Sequence, residues 1–401
     1  MSPWLHIIGV GDDGLGNLSA DAKTALEKSE VIIGGDRHLA MLPAEDKRPK
    51  ISWPSPLLKL VEEVKDRRGQ QIVVLATGDP MHYGIGVTFS KHLPAEEMAI
   101  YPSFSAFSLA AARLCWDLAK THQMTLHGRP LDLIRPYLYD GAQILALSDS
   151  GHTPNHVAKL LQESGFGHSR LTVLEHMGGP TERRMDIPVE KWRDQDFKDL
   201  NTLAITCKSD DTAPMYSHIP GLPDEAFIHD GQLTKSEIRS TTLSALSPFP
   251  GMLLWDVGAG CGSVGIEWMR CHPRNNAIAI EKHPARLEMI EQNKARLGTP
   301  LLKVISGAAP SNLEGLPVPD RVFIGGGLTK DVFGPCYHAL KSGGVLVANT
   351  VTIEGERLAF DLAETYGGQL RRLNFARAQK IGGFTSWKPF RQVTQLSIKK
   401  S

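Results

Sequence analysis

The sequence predicts two α/β domains that follow one another along the chain. Three observations carry this prediction: a length of 401 residues, two series of short apolar runs separated by helical patterns, and an aperiodic stretch between the two series. A single domain usually holds ~100–200 residues, so a chain of this length is expected to divide. We expect a first domain over 1–208, a linker over 209–231 and a second domain over 232–401.

The first domain is predicted from apolar, β-branched runs with helical patterns between most of them. The runs that we predict as strands are Leu5–Val10, Val31–Ile33, Ile72–Leu75, Ile144–Leu147, Leu171–Leu174 and Leu203–Ile205. The series ends at Lys208, and the sequence SDDTAPMYSHIPGLPDE that follows has neither a helical nor a strand period. Such a stretch is typical of an exposed linker.

The second domain begins with a predicted helix over Ser236–Leu246 and continues as another α/β series. Helices fit the gaps between its predicted strands, which are Leu253–Val257, Ala277–Ile280, Val304–Ile305, Val322–Ile324 and Val345–Ala348. The last two apolar runs, Leu370–Phe375 and Val393–Ile398, have no helical pattern between them. We therefore expect an antiparallel strand pair that closes the sheet.

Composition argues against several classes of function. Lys plus Arg and Asp plus Glu number 44 each, so no overall positive charge would attract nucleic acid or an anionic membrane. The five cysteines are scattered and form no C-x-x-C pair, which argues against disulfides and against a metal site. The amino terminus lacks a signal-peptide pattern, and no stretch reaches the ~18 apolar residues of a membrane span. We expect a cytoplasmic protein.

The sharpest local signal is LLWDVGAGCGSVGIEWM, in which an apolar strand runs into a glycine-rich turn and then a helix. Glycines permit the tight turn and leave room for a ligand, while the helix amino terminus offers N–H groups to an anion. Asp256 and the D-x-G-x-G-x-G spacing favour S-adenosylmethionine over a nicotinamide cofactor. Glu281, which ends the next strand, is positioned to accept hydrogen bonds from ribose hydroxyls. The turn residues predicted to contact the cofactor are Gly258, Ala259, Gly260, Cys261 and Gly262.

With these motifs the second domain resembles the class I, Rossmann-like methyltransferases, specifically the small cobalamin-biosynthetic enzymes that methylate carbon 15 of a macrocycle. The lead-in DGQLTKSEIR at Asp230–Arg239 matches that family, and the resemblance implies that Thr234 helps to bind the cofactor. In the turn SGAAP, Ala308 stands where the family often has Asp. The resemblance therefore implies a backbone contact of Ala308 with the adenine of the cofactor but no side-chain hydrogen bond. The segment FIGGGL at Phe323–Leu328 matches the strand end that opens onto substrate.

Four motifs occur in order in the first domain: IIGVG, VVLATGDPMHYGIG, YPSFSAFSLAAARL and LEHMGGPTERR. Together they resemble the tetrapyrrole methylases, the class III methyltransferases, whose two α/β lobes enclose the cofactor in a cleft. Asp12 stands where many members carry Pro, so we expect the first loop to face substrate rather than cofactor. The resemblance implies cofactor contacts near Leu147 and His176 and by Thr77, Gly78, Asp79, His82, Ser105 and Ala106.

A fusion of these two families in this order is similar to the bifunctional methyltransferases of corrin biosynthesis. The resemblance implies methylation of a tetrapyrrole substrate, a precorrin, at carbon 5 by the first domain and at carbon 15 by the second. Each domain would bind one S-adenosylmethionine, and the acetate on carbon 12 would lose carbon dioxide, giving precorrin-8X. We expect a homo-oligomer that binds no nucleic acid, and no residue stands out as a general acid or base.

Two other functions stay open at this point. One is a tetrapyrrole methylase in which only one half is active or which acts on another tetrapyrrole. The other is an RNA-modifying methyltransferase whose first domain is a binding module. The neutral charge disfavours the RNA enzyme. Near the carboxy terminus, a basic run is either an anchor for substrate carboxylates or a solvated strand face, and its cations are Arg371, Arg372, Arg377, Lys380, Lys388 and Arg391.

Overall fold

The computed structural model describes residues 3–54, 58–211 and 213–401. The chain forms two compact units, one over Met1–Leu131 and Tyr137–Pro214 and the other over Asp132–Pro136 and Met215–Ser401. Both are built from mixed helices and strands, which confirms the predicted α/β class. Within the described ranges, none of the helices has the length and apolar content needed to cross a bilayer.

The amino-terminal lobe of the first unit is a parallel five-stranded sheet with the order β3-β2-β4-β1-β5. Alternate strand residues face two apolar clusters, one packed against α1 and the other against α3 and α4, so both faces of the sheet are covered. The elements are β1 (Leu5–Val10), α1 (Ala20–Lys28), β2 (Val31–Gly34), α2 (Asp36–Leu39), β3 (Lys50–Ser52), α3 (Leu58–Asp66), β4 (Ile72–Thr77), α4 (Ile85–Phe89) and β5 (Met98–Tyr101).

The second lobe of the first unit is a mixed five-stranded sheet with the order β6-β7-β10-β8-β9. Strand β6 is parallel to β7, and the remaining pairs are antiparallel. Helix α5 packs on this sheet through Phe107 and Ala110. The elements are α5 (Ala106–Leu114), β6 (His122–Thr125), β7 (Gln143–Leu147), α6 (Thr153–Glu163), β8 (Arg170–Glu175), β9 (Arg183–Pro188) and β10 (Asn201–Thr206).

The second unit is a seven-stranded sheet with the order β13-β12-β11-β14-β15-β19-β16. The first five strands of this order are parallel, and β19 runs antiparallel to both of its neighbours. The elements are α7 (Ser236–Leu246), β11 (Leu253–Val257), α8 (Ser263–Cys271), β12 (Asn276–Glu281), α9 (Pro284–Arg296), β13 (Lys303–Ser306), β14 (Arg321–Ile324), α10 (Lys330–Ala339), β15 (Val345–Thr350), α11 (Ile353–Tyr366), β16 (Gln369–Leu373), β17 (Ala376–Ile381), β18 (Phe384–Pro389) and β19 (Val393–Lys399).

Helices cover both faces of this second sheet. Side chains of α7, α8 and α9 form one apolar cluster with alternate strand residues, and side chains of α10 and α11 form another with the rest. The result is a three-layer α/β sandwich in which the carboxyl ends of the parallel strands share one edge. Ligands of such sheets bind at that edge. Short 3₁₀ helices elsewhere in the chain span Leu15–Asn17, Ala95–Glu97, Leu118–Lys120, Leu131–Tyr137, Val189–Lys191 and Asp224–Ala226.

The carboxy-terminal segment confirms one prediction and corrects another. Strands β16 and β19 pair antiparallel at the sheet edge, as the two apolar runs indicated. Between them lies a hairpin of β17 and β18, which pair only with each other and which the sequence did not predict. Its residues are almost all exposed, including Phe384 and Trp387, so no buried face produced an alternating pattern.

The predicted exposed linker is partly buried. Leu222, Ala226 and Phe227 lie in the same apolar cluster as α7 and α8, and each is less than 5% exposed. Asp224 is buried as well. Proline and aspartate gave this stretch the composition of a loop, yet its few apolar residues complete the core of the second unit. The expected exposure was therefore wrong for Leu222, Asp224, Ala226 and Phe227, whereas Asp230 and Gly231 are exposed.

A truncation series tests this extension of the second unit. We expect 215–401 to unfold at a clearly higher urea midpoint than 228–401, because the shorter fragment lacks Leu222, Ala226 and Phe227. Burial of a large apolar side chain contributes ~1.5–3 kcal/mol, so the loss should amount to several kcal/mol. Far-ultraviolet circular dichroism at matched concentrations measures both midpoints. Equal midpoints would show that 215–227 adds nothing to the fold.

Candidate active site

The turn between β11 and α8 is shaped by three glycines in the left-handed region. Gly258, Gly260 and Gly262 have φ angles of 72°, 60° and 81°, values that other residues adopt only with strain. A Cβ on Gly262 would lie 3.2 Å from the Ile290 side chain, so that glycine serves helix packing. A Cβ on Gly260 would have only the Gln232 carbonyl oxygen within 4 Å, at 3.6 Å, and would otherwise occupy open space.

That open space belongs to a cavity of about 1170 Å³ at the carboxyl edge of the sheet. The cavity is bounded by the ends of β11, β14 and β15 and by the start of α11. Five of the residues predicted to bind cofactor line it, namely Thr234, Gly258, Ala259, Gly260 and Cys261. Ligand sites for drug-sized molecules usually measure ~300–1,000 Å³, so this cavity has room for more than one small ligand.

Glu281 and Ala308 lie outside the cavity lining. The Glu281 carboxylate is buried and accepts hydrogen bonds from the backbone N–H groups of Gly260 at 2.8 Å, Lys282 at 2.9 Å and His283 at 3.0 Å. It therefore holds the glycine turn to the end of β12. Ala308 is exposed in the turn after β13. The contacts expected of these residues with ribose and adenine stay predictions.

Thr234 is fixed by a buried charge network that sequence reasoning missed. The Arg239 guanidinium, fully buried, donates to the backbone carbonyl oxygens of Thr234 and Leu222. It forms an ion pair with Glu267 at 2.6 Å and lies 3.5 Å from Asp224. The Glu267 carboxylate in turn accepts hydrogen bonds from the backbone N–H groups of Gly221 and Leu222. The sequence signal that could have revealed this network is the presence of Arg239 and Glu267 on the apolar faces of α7 and α8.

Asp256 is the next-to-last residue of β11, beneath the glycine turn, and its side chain is almost completely buried. One carboxylate oxygen accepts the Gly265 N–H at 2.9 Å, and the other has no hydrogen-bond partner among the described residues. Burial, assisted by the nearby Glu281 charge, raises the pKa of Asp256 to about 7. Burial likewise raises the pKa of the Cys261 thiol in the turn to about 11.

The first unit holds a small cavity of about 60 Å³ bordered by residues of both lobes. Thr77, Gly78 and Ala106 line it, as the resemblance implied for cofactor-binding residues. Asp12 and His176 also line it, although they lie 164 positions apart in the chain. The two predicted motif regions, one from each lobe, are therefore brought together.

Charged groups connect the walls of this small cavity. Asp12 accepts from Arg37 at 2.6 Å and lies 2.9 Å from Nδ1 of His176, while Arg37 also donates to the Thr77 hydroxyl at 2.9 Å. His38 contacts both Arg37 and Thr77 at 3.2 Å. Burial and the Arg37 charge lower the pKa of His38 to about 4, so this imidazole stays neutral near pH 7. The contacts among these side chains were not predicted from the sequence.

Four other predicted residues of the first unit do not line the cavity: Leu147, which ends β7, and Asp79, His82 and Ser105, which local contacts hold. Asp79 accepts the Met81 N–H at 2.8 Å and closes the G-D-P turn. His82 packs against Phe107 with ring centroids 4.6 Å apart. Ser105 caps α5 by accepting the Ser108 N–H at 3.1 Å. Each of these side chains has a structural role in the fold.

The basic run near the carboxy terminus is divided by the fold. Arg377 on β17 pairs with Glu237 at 2.7 Å and with Asp224 at 3.2 Å, and Arg372 pairs with Glu356. Arg391 lines the large cavity, whereas the other five cations of the run do not. The interpretation of the run as a substrate anchor stays a prediction, which the cavity lining supports for Arg391.

A parallel sheet with an antiparallel strand inserted near its edge and a D-x-G-x-G-x-G turn defines a class I methyltransferase, an enzyme class that uses S-adenosylmethionine. The family model described as precorrin methyltransferase domain matches residues 225–400, and that described as tetrapyrrole (corrin/porphyrin) methylases matches residues 4–191. A precorrin-6Y C(5,15)-methyltransferase (decarboxylating) from a Sinorhizobium species is 45% identical over 401 residues, which is 100% of this chain and 97% of the relative. The chain belongs to the precorrin-6Y C(5,15)-methyltransferase family.

Two shorter relatives each match less than half of the chain. A probable cobalt-precorrin-6B C(15)-methyltransferase (decarboxylating) from Pyrobaculum aerophilum is 36% identical over 43% of this chain and 93% of its own length. A cobalt-precorrin-7 C(5)-methyltransferase from Salmonella typhimurium is 29% identical over 46% of this chain and 90% of its own length. The two activities in the family name thus also occur in separate proteins.

We expect Gly260→Ala to weaken binding of S-adenosylhomocysteine to the second unit at least ~10-fold, a loss of ~1.4 kcal/mol. The added Cβ would enter the cavity that the turn encloses. Gly343→Ala is the matched control, because Gly343 has a φ of 75° and open space around it but lies outside the cavity. Calorimetry on the full chain compares the two variants. Equal weakening by both would mean that backbone strain, not lost cavity space, is responsible.

The raised pKa of Asp256 predicts a pH-dependent stability. Its folded-state pKa of about 7 lies above the ordinary value of 3.8, so the contribution of this group to stability is fully present below pH ~4 and is lost as the pH rises through 7. Asp256→Asn should abolish that dependence, which amounts to at most ~4 kcal/mol at 1.36 kcal/mol per pKa unit. Urea unfolding at pH 4.5, 6 and 7.5 gives the variant-minus-wild-type difference. A difference that is constant with pH would refute the assignment.

Proposed function

We propose that this protein transfers methyl groups from S-adenosylmethionine to carbons 5 and 15 of a precorrin and removes the carbon-12 acetate carboxyl as carbon dioxide, giving precorrin-8X. The observation that carries the proposal is the 45% identity over the whole chain to a relative whose name states both methylation positions and decarboxylation. The large cavity beside the glycine turn supports it, because a macrocycle and a cofactor need more room than one small ligand.

The proposal assigns carbon 5 to the first unit and carbon 15, with decarboxylation, to the second. The matches to a tetrapyrrole methylase model over 4–191 and to a precorrin methyltransferase model over 225–400 support this division. The names of the two half-length relatives support it as well, because the carbon-15 relative is the decarboxylating one. The two compact units divide between Pro214 and Met215, within the predicted linker of 209–231.

The proposal includes one cofactor site in each unit. In the second unit the Gly258–Gly262 turn and Thr234 would hold S-adenosylmethionine, and the space facing Gly260 fits such a ligand. In the first unit Thr77, Gly78 and Ala106 would contact it, as the family resemblance implies; the space of about 60 Å³ that they border is smaller than a cofactor, so this site must widen to admit one. The cofactor supplies a methyl group already activated by its sulfonium. Self-association and a cytoplasmic location stay predictions.

The residues of this chain would contribute mainly by orientation. A sulfonium methyl and a nucleophilic macrocycle carbon need little acid or base assistance, so holding the reacting atoms ~3–3.5 Å apart accounts for much of the rate. The rigid turn between β11 and α8, tied down by Glu281 and Asp256, suits that task. Decarboxylation requires an electron sink, which the conjugated macrocycle provides, and a proton for the methylene carbon that loses its carboxyl.

Methyl counting tests the proposal on the full chain. With reduced precorrin substrate and labelled methyl donor, we expect mass spectrometry to show two methyl groups added and one carbon dioxide lost. Gly260→Ala should suppress the carbon-15 methyl and the carbon dioxide together, because both belong to the second unit. Ala106→Leu should suppress only the carbon-5 methyl, because the larger side chain fills the first-unit cavity.

Other results separate the parts of the proposal. A wild-type chain that adds no methyl to the precorrin would refute the function itself. Loss of both methyl groups in each variant would refute independent sites. Carbon dioxide release that survives Gly260→Ala but not Ala106→Leu would move decarboxylation to the first unit.

A further inference from the structure

The lining of the large cavity carries more positive than negative charge. Its acidic side chains are Glu354 and Asp361, and its cations are Lys235, Arg286, Lys330, Arg357 and Arg391. Two of these cations already have protein partners, since Arg286 pairs with Asp230 at 2.9 Å and Lys235 lies 3.5 Å from Asp224. Lys330, Arg357 and Arg391 have no carboxylate within ion-pair distance among the described residues.

These three cations approach the cavity from three different elements. Lys330 begins α10, Arg357 lies in the first half of α11, and Arg391 lies two residues before β19. Arg357 is spaced for helical pairing with both Glu354 and Asp361, yet neither acid lies within 4.0 Å of it. The three charges are therefore distributed around the cavity and are available to a ligand.

Arg391 is held at the cavity by the base of the hairpin. The backbone N–H of the preceding Phe390 donates to the Phe375 carbonyl at 2.8 Å, and the Arg377 guanidinium lies 5.1 Å above the Phe390 ring. Arg377 is itself tied to Glu237 and Asp224 at the start of the second unit. Although the hairpin is exposed, these contacts at its base position Phe390 and therefore Arg391, which follows it.

The cofactor alone does not account for these charges. S-adenosylmethionine has a single carboxylate, which one cation of the lining can pair with. Three unpaired cations match a ligand with several carboxylates. Guanidinium groups bind carboxylates through paired hydrogen bonds, whereas an ammonium acts as a point charge, so Arg357 and Arg391 would set orientation more strongly than Lys330.

We propose that Arg357, Arg391 and Lys330 bind peripheral carboxylates of the tetrapyrrole, with the two arginines fixing the orientation of the macrocycle over the glycine turn. This inference rests on the proposed function and adds to it the residues that recognise the substrate. The acetate that is lost must stay free of such a contact, because a tight cation pair would stabilise the carboxylate against decarboxylation. The three cations therefore hold the arms that are retained.

The test compares Arg357→Gln and Arg391→Gln in the full chain with Arg274→Gln as the matched control. Arg274 is exposed in the turn before β12, at the opposite edge of the sheet, and lies outside the cavity. Loss of one charge-assisted contact should raise KM for the precorrin in carbon-15 methylation by ~10-fold or more. The double variant should multiply the two effects, because the arginines lie on separate elements and bind different carboxylates. Affinity for S-adenosylhomocysteine should stay at the wild-type value.

Comparing Arg357→Lys with Arg357→Gln separates the effect of paired hydrogen bonds from the effect of positive charge alone. Arg357→Lys should recover part of the affinity lost in Arg357→Gln, because the charge is kept and the paired geometry is lost. Wild-type KM in both glutamine variants, with an active wild-type enzyme, would overturn the inference while leaving the proposed function intact. Equal weakening of substrate and S-adenosylhomocysteine would also overturn it, because the cations would then serve the cofactor. An inactive wild type would instead refute the proposed function.

Discussion

The ion pair between Arg239 and Glu267 ties the lead-in of the second unit to the helix that follows the glycine turn. Both side chains are almost completely buried, and Arg239 also holds the carbonyl oxygen of Thr234 on the cavity wall. Removing one partner of a buried pair leaves a charge without compensation, at a cost of ~3–5 kcal/mol. The cavity wall, the glycine turn and the buried end of the lead-in are therefore stable only together. Arg377 extends the same network to the hairpin through Asp224.

The sequence predicts best those parts of the molecule in which a requirement is local. Buried parallel strands need consecutive apolar β-branched residues, and the turn after Val257 needs glycines at left-handed positions, so both were recognised from short windows. The hairpin of β17 and β18 was missed because it has no buried face to produce a period. The buried part of the linker was missed because Pro and Asp dominate its composition, although Leu222 and Phe227 complete a core.

The candidate sites show the same division between local and long-range information. Gly258, Gly260 and Thr234 were found because motif spacing locates them. The contact between Asp12 and His176 joins residues 164 positions apart, which no short window reveals. This contact also gives a physical reason for Asp12 at a position where many tetrapyrrole methylases carry Pro. A carboxylate there binds Arg37 and His176, and proline has no side-chain acceptor for either.

The burial of Cys261 has a chemical consequence for a protein that handles an alkylating agent. Thiolates are among the strongest nucleophiles in proteins, and the glycine turn that holds Cys261 borders the cavity in which a sulfonium methyl donor would lie. With its pKa raised to about 11, the sulfur stays protonated and weakly nucleophilic at neutral pH. A buried thiol held in the protonated form is a poor methyl acceptor, so the turn carries a cysteine beside the expected methyl donor without carrying a thiolate.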